Sequence, residues 1–155
     1  VFDEGMPGPN QVHRLGDGHM VGRTDLLAVP AGPIREGGLR HNVDVGLRYL
    51  AAWLAGNGCV PLDNLMEDAA TAQISRTQVW QWIRHGARLV DGRTVSTELY
   101  RAVQAQVVAD LRSRLGDAAF DAGRYAPAAT LFDQLITAPE LPEFLTLPAY
   151  DALTD

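Results

Sequence analysis

The sequence predicts a mainly α fold, with about five helices packed orthogonally or as an irregular bundle. Three observations carry this. From Arg35 onward, apolar residues recur at three- and four-residue steps, the repeat of one helix face. Several of these runs stop at a glycine, the usual residue just past a helix end. No stretch of useful length alternates apolar and polar residues as a half-buried strand would, and no internal repeat is present.

In chain order, residues 1–34 come first, rich in glycine and proline: GMPGPNQ, LGDGHMVGR and VPAGP. Pro7, Pro9, Pro30 and Pro33 oppose a continuous helix. Met20, Val21, Leu26, Leu27 and Val29 are too apolar for a comfortably solvated tail, so the segment reads as an extended linker lying on another surface. Residues 35–155 read as the helical domain. Its first helix carries Leu39, Val43, Leu47, Leu50 and Leu54 on one face and stops at Gly56 and Gly58. An irregular stretch over 57–66, NGCVPLDNLM, follows. Ser75 and Gln78 form a capping box, which predicts a helix from there to about Arg84, ending near Gly86. A turn at Asp91-Gly92 leads to a longer helix from Thr97, with Tyr100, Val103, Val107, Leu111 and Leu115 on one side and Gly116 as its stop. The next helix holds Tyr125, Ala129, Phe132 and Ile136, and tolerates Pro127 only in its first turn. Thr137-Ala138-Pro139-Glu140 reads as another capping box, and Pro142 makes the last helix short or broken.

Composition bounds the function. The chain has 155 residues, 46% apolar and 21% charged, enough for one domain with a sizeable core. A net charge of −6 disfavours general binding to nucleic acid or to anionic membranes. No run approaches the ~20 apolar residues of a membrane span. One cysteine, Cys59, cannot form an internal disulfide, and a reducing cytoplasm is the natural compartment. The opening VFDEGMPGPNQ lacks the basic and apolar regions of a signal peptide, and the closing AYDALTD carries no targeting address. The chain starts at Val1 rather than Met, which predicts that it is the C-terminal portion of a longer protein.

The stretch LMEDAATAQISR, Leu65 to Arg76, holds the main candidate for chemistry. Asp68 precedes a run of small residues and can cap a helix there. Spacing alone favours that capping role over catalysis. The two are compatible, because the amides and dipole at a helix N-terminus favour an ionised carboxylate, the form a general base needs. Glu67 is adjacent, so its side chain points elsewhere, and an ion pair with an arginine is the expectation for it. The small side chains of Ala69 and Ala70 leave room for a ligand beside Asp68. Cys59 reads as a small buried hydrophobe and Met66 as core, since neither His41 nor His85 stands at a motif spacing that would activate a thiol. His13, His19, His41 and His85 show no zinc-ligand spacing, and the glycine-rich pieces match no phosphate-binding fingerprint. Trp80 and Trp82 project to different sides of one helix, so Trp80 meets either a partner surface or a helix covered on two sides.

The string LMEDAATAQISRTQVWQWIRHG, preceded by GNGCVP, resembles the C-terminal region of malate synthase, in its shorter A-type isoform. The resemblance extends through GLRHNVDVGLRYLAAWLAGNGCVPLDNLMEDAATAQISR, GRYAPAATLFDQL and FLTLPAYDAL, in that family's order, over roughly residues 30–155. It implies the C-terminal helical domain of a TIM-barrel enzyme, with residues 1–34 as the linker that follows the barrel. It further implies that Mg²⁺, glyoxylate and an enolate-stabilising arginine sit on the barrel, and that acetyl-CoA enters between the two domains. Asp68, the aspartate of the MED string, is implied as the base that takes a proton from the acetyl methyl group. The enolate then attacks glyoxylate, and hydrolysis of malyl-CoA releases malate and CoA. Met66 and Cys59 are implied near the thioester as packing groups. The sequence departs from the family in lacking the barrel altogether, which predicts that the chain alone is inactive. A helical interaction module without chemistry, or a degenerate remnant, is the competing reading, with Asp68 as a cap only.

Overall fold

A computed structural model describes residues 2–5, 8–10, 13, 20–29 and 31–153. Pro7, His19 and Pro30 lie outside the described residues. The chain divides into two units, Val1–Gly32 and Pro33–Asp155. The first holds two short helices, α1 (Phe2–Gly5) and α2 (Arg23–Leu27). Asp25 anchors the start of α2 by accepting a hydrogen bond from the Gly22 amide at 2.8 Å. Met20, Val21, Leu26, Leu27 and Val29 are all exposed.

The second unit is mainly helical. Its centre is α3 (Glu36–Leu54). The predicted stripe of Leu39, Val43, Leu47, Leu50 and Leu54 is buried, with Leu54 the most accessible at 6%. Gly46 belongs to the same face. A Cβ there would lie 2.4 Å from the Phe132 ring, so only glycine permits this approach of α3 to the later helix that carries Phe132. Gly56, at φ +94°, follows the end of α3.

The segment expected to be irregular instead contains an antiparallel hairpin, β1 (Val60–Leu62) and β2 (Leu65–Glu67). Its two-residue turn, Asp63-Asn64, has both residues in the left-handed region, φ 52° and 67°, the requirement of a type I′ hairpin. Pro61 pairs with Met66, next to the Leu62–Leu65 pair that closes the turn. In the alternating antiparallel ladder that is a non-hydrogen-bonded position, so the missing proline N–H costs no bond. Arg48 of α3 fastens the hairpin tip by donating to Asp63 at 2.7 Å while also bonding Asp44 at 3.0 Å.

The next helix, α4 (Ala69–Arg84), starts two turns earlier than the Ser75 capping box predicts. Asp68 is the true N-cap. The strong helix formers of AATAQ carry the helix straight through Ser75, which ends up buried in mid-helix. Gly92 makes the predicted turn at φ +88°. Then α5 (Thr97–Leu115) begins, capped by the Ser96 hydroxyl, which accepts from the Leu99 amide at 3.2 Å. Tyr100, Val103, Val107 and Leu111 are buried as expected, but Leu115 is 41% exposed. Gly116 both stops α5 and opens an unpredicted short helix, α6 (Asp117–Ala122), which buries Phe120. Helix α7 (Tyr125–Thr137) carries Pro127 in its first turn. Thr137 is its last residue rather than a cap, and its hydroxyl donates back to the Asp133 carbonyl at 2.7 Å. An irregular strap, 138–145, leads to the short α8 (Thr146–Asp151). Helices α4, α5 and α7 surround α3, and their apolar faces form one core.

Candidate active site at the start of α4

The hairpin and α4 meet at Asp68, and the hairpin register decides which side chains share a face. Val60 pairs with Glu67 and Pro61 with Met66. Extending that register by one step sets Cys59 across from Asp68. Side chains alternate along a strand, so Cys59, Pro61, Met66 and Asp68 project from one face and Val60, Leu62 and Glu67 from the other. Burial follows this division: the first four are exposed, while Leu62 and Glu67 are buried at 5% and 7% and Val60 is half-buried. The expected burial of Cys59 and Met66 is therefore overturned, because both lie on the outward face of the hairpin. Glu67 turns away from Asp68 as expected, but no arginine pairs with it among the described residues.

Asp68 has extended backbone, φ −122° and ψ −174°, as an N-cap requires. Its Oδ1 accepts from the amides of Ala70 at 2.9 Å and Thr71 at 3.2 Å. Among the described residues no donor reaches Oδ2. One oxygen thus fixes the carboxylate, and the other keeps its lone pairs available. Beneath it, buried Tyr49 donates to the Gly58 carbonyl at 3.1 Å and holds the loop that presents Cys59. Burial pushes the Tyr49 phenol above its ordinary value, and the negative charges of Cys59 and Asp68 add to that push, so both groups lie within electrostatic reach of the ring.

Beyond Asp68, an apolar groove of about 390 Å³ runs along the first two turns of α4. Ala69, Ala70, Gln73 and Ile74 form one side, and Phe144, Leu145 and Thr146 the other. The small side chains noticed in the sequence do leave space, and the strap after α7 supplies the opposite wall. Sequence reasoning missed Tyr49, Gln73, Arg76 and Phe144. The one available signal was a polar stripe, Gln73, Arg76 and Trp80, at helical spacing on an otherwise core-facing helix.

Trp80 is half-buried, donates its indole N–H to the Ala138 carbonyl at 2.8 Å, and lies 5.8 Å under the Arg84 guanidinium. Of the two readings left open for it, the helix covered on two sides holds. Among the described residues, no group of three or more His, Cys, Asp or Glu is placed to hold a metal ion. Glu67 and Asp68 face opposite sides of the hairpin and cannot chelate one ion between them. His41 is exposed in a separate polar groove with Arg40, Asp44 and Arg114. No helix of the described residues is long and apolar enough to cross a membrane.

Comparison with known proteins places this arrangement in a family. The family described as malate synthase, C-terminal, matches residues 33–153. Over 153 residues, 99% of the chain, it is 52% identical to the malate synthase of Myxococcus xanthus. It is 48% identical over 159 residues, again 99% of the chain, to the glyoxysomal malate synthase of Zea mays. Against malate synthase A of Escherichia coli it is 47% identical over 128 residues, 83% of the chain. The chain spans 28%, 28% and 24% of those three relatives' own lengths. This chain belongs to the malate synthase C-terminal domain family.

Proposed function

We propose that this chain is the C-terminal helical domain of a malate synthase, and that Asp68 is the general base for condensation of acetyl-CoA with glyoxylate. The observation that carries the reading is the divided carboxylate of Asp68: Oδ1 is held by two amides, while Oδ2 is free on an exposed face beside an apolar groove. The methyl group of an acetyl thioester is a very weak carbon acid. A base for it must be ionised, fixed and close, and the cap supplies the first two. Oδ2 takes the methyl proton as the enolate forms; the enolate carbon attacks the aldehyde; water then cleaves the resulting malyl thioester to malate and CoA. The groove suits the aliphatic arm of the thioester, with Met66 and Cys59 as packing neighbours on the hairpin face rather than reacting groups.

The remaining parts belong to the barrel that the resemblance implies, this domain's own N-terminal partner, joined through residues 1–34. The Mg²⁺ ion does not fit the carboxylates of this chain, and no step assigned here runs through it. Glyoxylate and the enolate-stabilising arginine are likewise assigned to the barrel. The maize relative is named as glyoxysomal; for this chain, with its single exposed thiol, a cytoplasmic setting is proposed.

The test is Asp68→Asn in the full-length enzyme, followed by release of thiol from acetyl-CoA. The expected result is a loss in kcat of about a thousandfold with KM for acetyl-CoA little changed. Near-normal turnover would remove Asp68 from the chemistry and favour the second reading, a helical interaction module. The observed cap bonds are what that reading rests on, and asparagine caps as well as aspartate.

A further inference from the structure

The strap 138–145 has no regular structure, so its backbone polar groups must find partners elsewhere. It finds them on one stripe of α4. Gln73 donates to the Glu143 carbonyl at 3.3 Å and accepts from the Leu145 amide at 3.0 Å. Arg76, one turn on, donates to the carbonyls of Pro142 at 2.5 Å and Glu143 at 3.3 Å, and its Nε donates to Gln73 at 3.0 Å. Trp80, another turn on, takes the Ala138 carbonyl. The strap is thus pinned antiparallel to α4 along its whole length.

Arg76 is the unusual member. It is 1% exposed, forms no ion pair among the described residues, and its Nη1 has no hydrogen-bond partner. A buried guanidinium without a carboxylate is a poor device for stability, because desolvation opposes it and apolar packing would serve better. Its planar fork suits a different task, holding two successive carbonyls in fixed positions. Those carbonyls immediately precede Phe144 and Leu145, which form the wall of the groove opposite Ala69 and Ala70. Leu145 is buried, while Phe144 stays half-exposed at 54% and faces the open groove.

We infer that Arg76, through Gln73, is a positioning residue that fixes Phe144 as the wall of the groove and so sets the fit of the substrate's aliphatic arm. This rests on the reading that the thioester lies beside Asp68. Arg76 does not touch the reacting atoms. It acts through the strap, so its removal weakens binding of the thioester more than it slows the chemistry.

The experiment is steady-state kinetics of the full-length enzyme with acetyl-CoA varied at saturating glyoxylate. It compares Arg76→Met, Phe144→Ala, the double variant and, in parallel, Asp68→Asn. The expected result is a rise in KM for acetyl-CoA of about tenfold in each single variant with kcat held within about threefold. The double variant should be no worse than the single ones, because both disable the same wall. Unchanged KM, additive effects in the double variant, or a fall in kcat alone would overturn the assignment. Phe144 is half-exposed, so its truncation spares the core. If Arg76→Met does not accumulate as folded protein, the KM of Phe144→Ala alone decides, upheld by a rise and overturned by no change. Asp68→Asn separates the two claims: an active Asp68→Asn enzyme refutes the base, whereas an inactive one with normal KM in Phe144→Ala refutes only the positioning.

Discussion

Oδ1 of Asp68 is committed to the amides of Ala70 and Thr71, while Oδ2 has no donor among the described residues. Two substitutions therefore separate capping from chemistry. Asparagine keeps a side-chain acceptor for the cap, and alanine does not. Asp68→Ala is expected to destabilise the first turn of α4 by about 1 kcal/mol, and Asp68→Asn by only a few tenths. Hydrogen exchange at the Ala70–Ala72 amides measures this, and equal protection in both variants would contradict the cap. Of this residue the sequence showed a great deal: a capping type before AATAQ, and a MED string with a family likeness. It could not show that Cys59 and Met66 share its face. That follows from a hairpin register that spacing alone did not reveal.

The hairpin itself shows why some elements were illegible. Its strands are three residues each, too short for alternation to stand out, and the decisive signal was Asp63-Asn64 at two left-handed positions. Two start signals also competed in α4. Asp68 came first, and nothing in the next two turns stops a helix. By contrast, the buried stripe of α3 was legible because five apolar residues repeat over the full length of a 19-residue helix. Two predictions belong at this scale. Gly46→Ala forces a methyl group against the buried Phe132 ring and should cost about 1–3 kcal/mol, read from the denaturation midpoint; an unchanged midpoint would mean that the two helices separate freely. The second concerns acid. The hydrogen bond from Arg48 holds the Asp63 carboxyl below its ordinary value. A depressed carboxyl contributes stability above its unfolded pKa and loses it as pH falls through the folded value. The hairpin tip should therefore stay fastened until the pH drops below the ordinary range near about 3.9. An NMR titration of Asp63 with a midpoint at or above that range would contradict the ion pair.

At the scale of the whole molecule, the features that make a domain are present and those that make a complete reaction site are divided. Met20, Val21, Leu26, Leu27 and Val29 are exposed in the first unit, and Met66, Ile74, Phe144 and Leu147 in the second. So much uncovered apolar surface is expected to drive self-association of the isolated chain, seen as concentration-dependent sedimentation; a monomer at all concentrations would contradict it. The strap and its clamp could not be read from sequence, because Arg76 bonds backbone carbonyls 66 and 67 residues away and carbonyls carry no residue identity. The account as a whole assigns one task to this domain, the delivery of a fixed carboxylate. The most direct test is a single-turnover measurement of condensation in the full-length enzyme, alongside equilibrium titration of acetyl-CoA, for wild type and Asp68→Asn. The account predicts unchanged acetyl-CoA affinity and condensation slowed by about a thousandfold. Condensation at the wild-type rate in Asp68→Asn would contradict it.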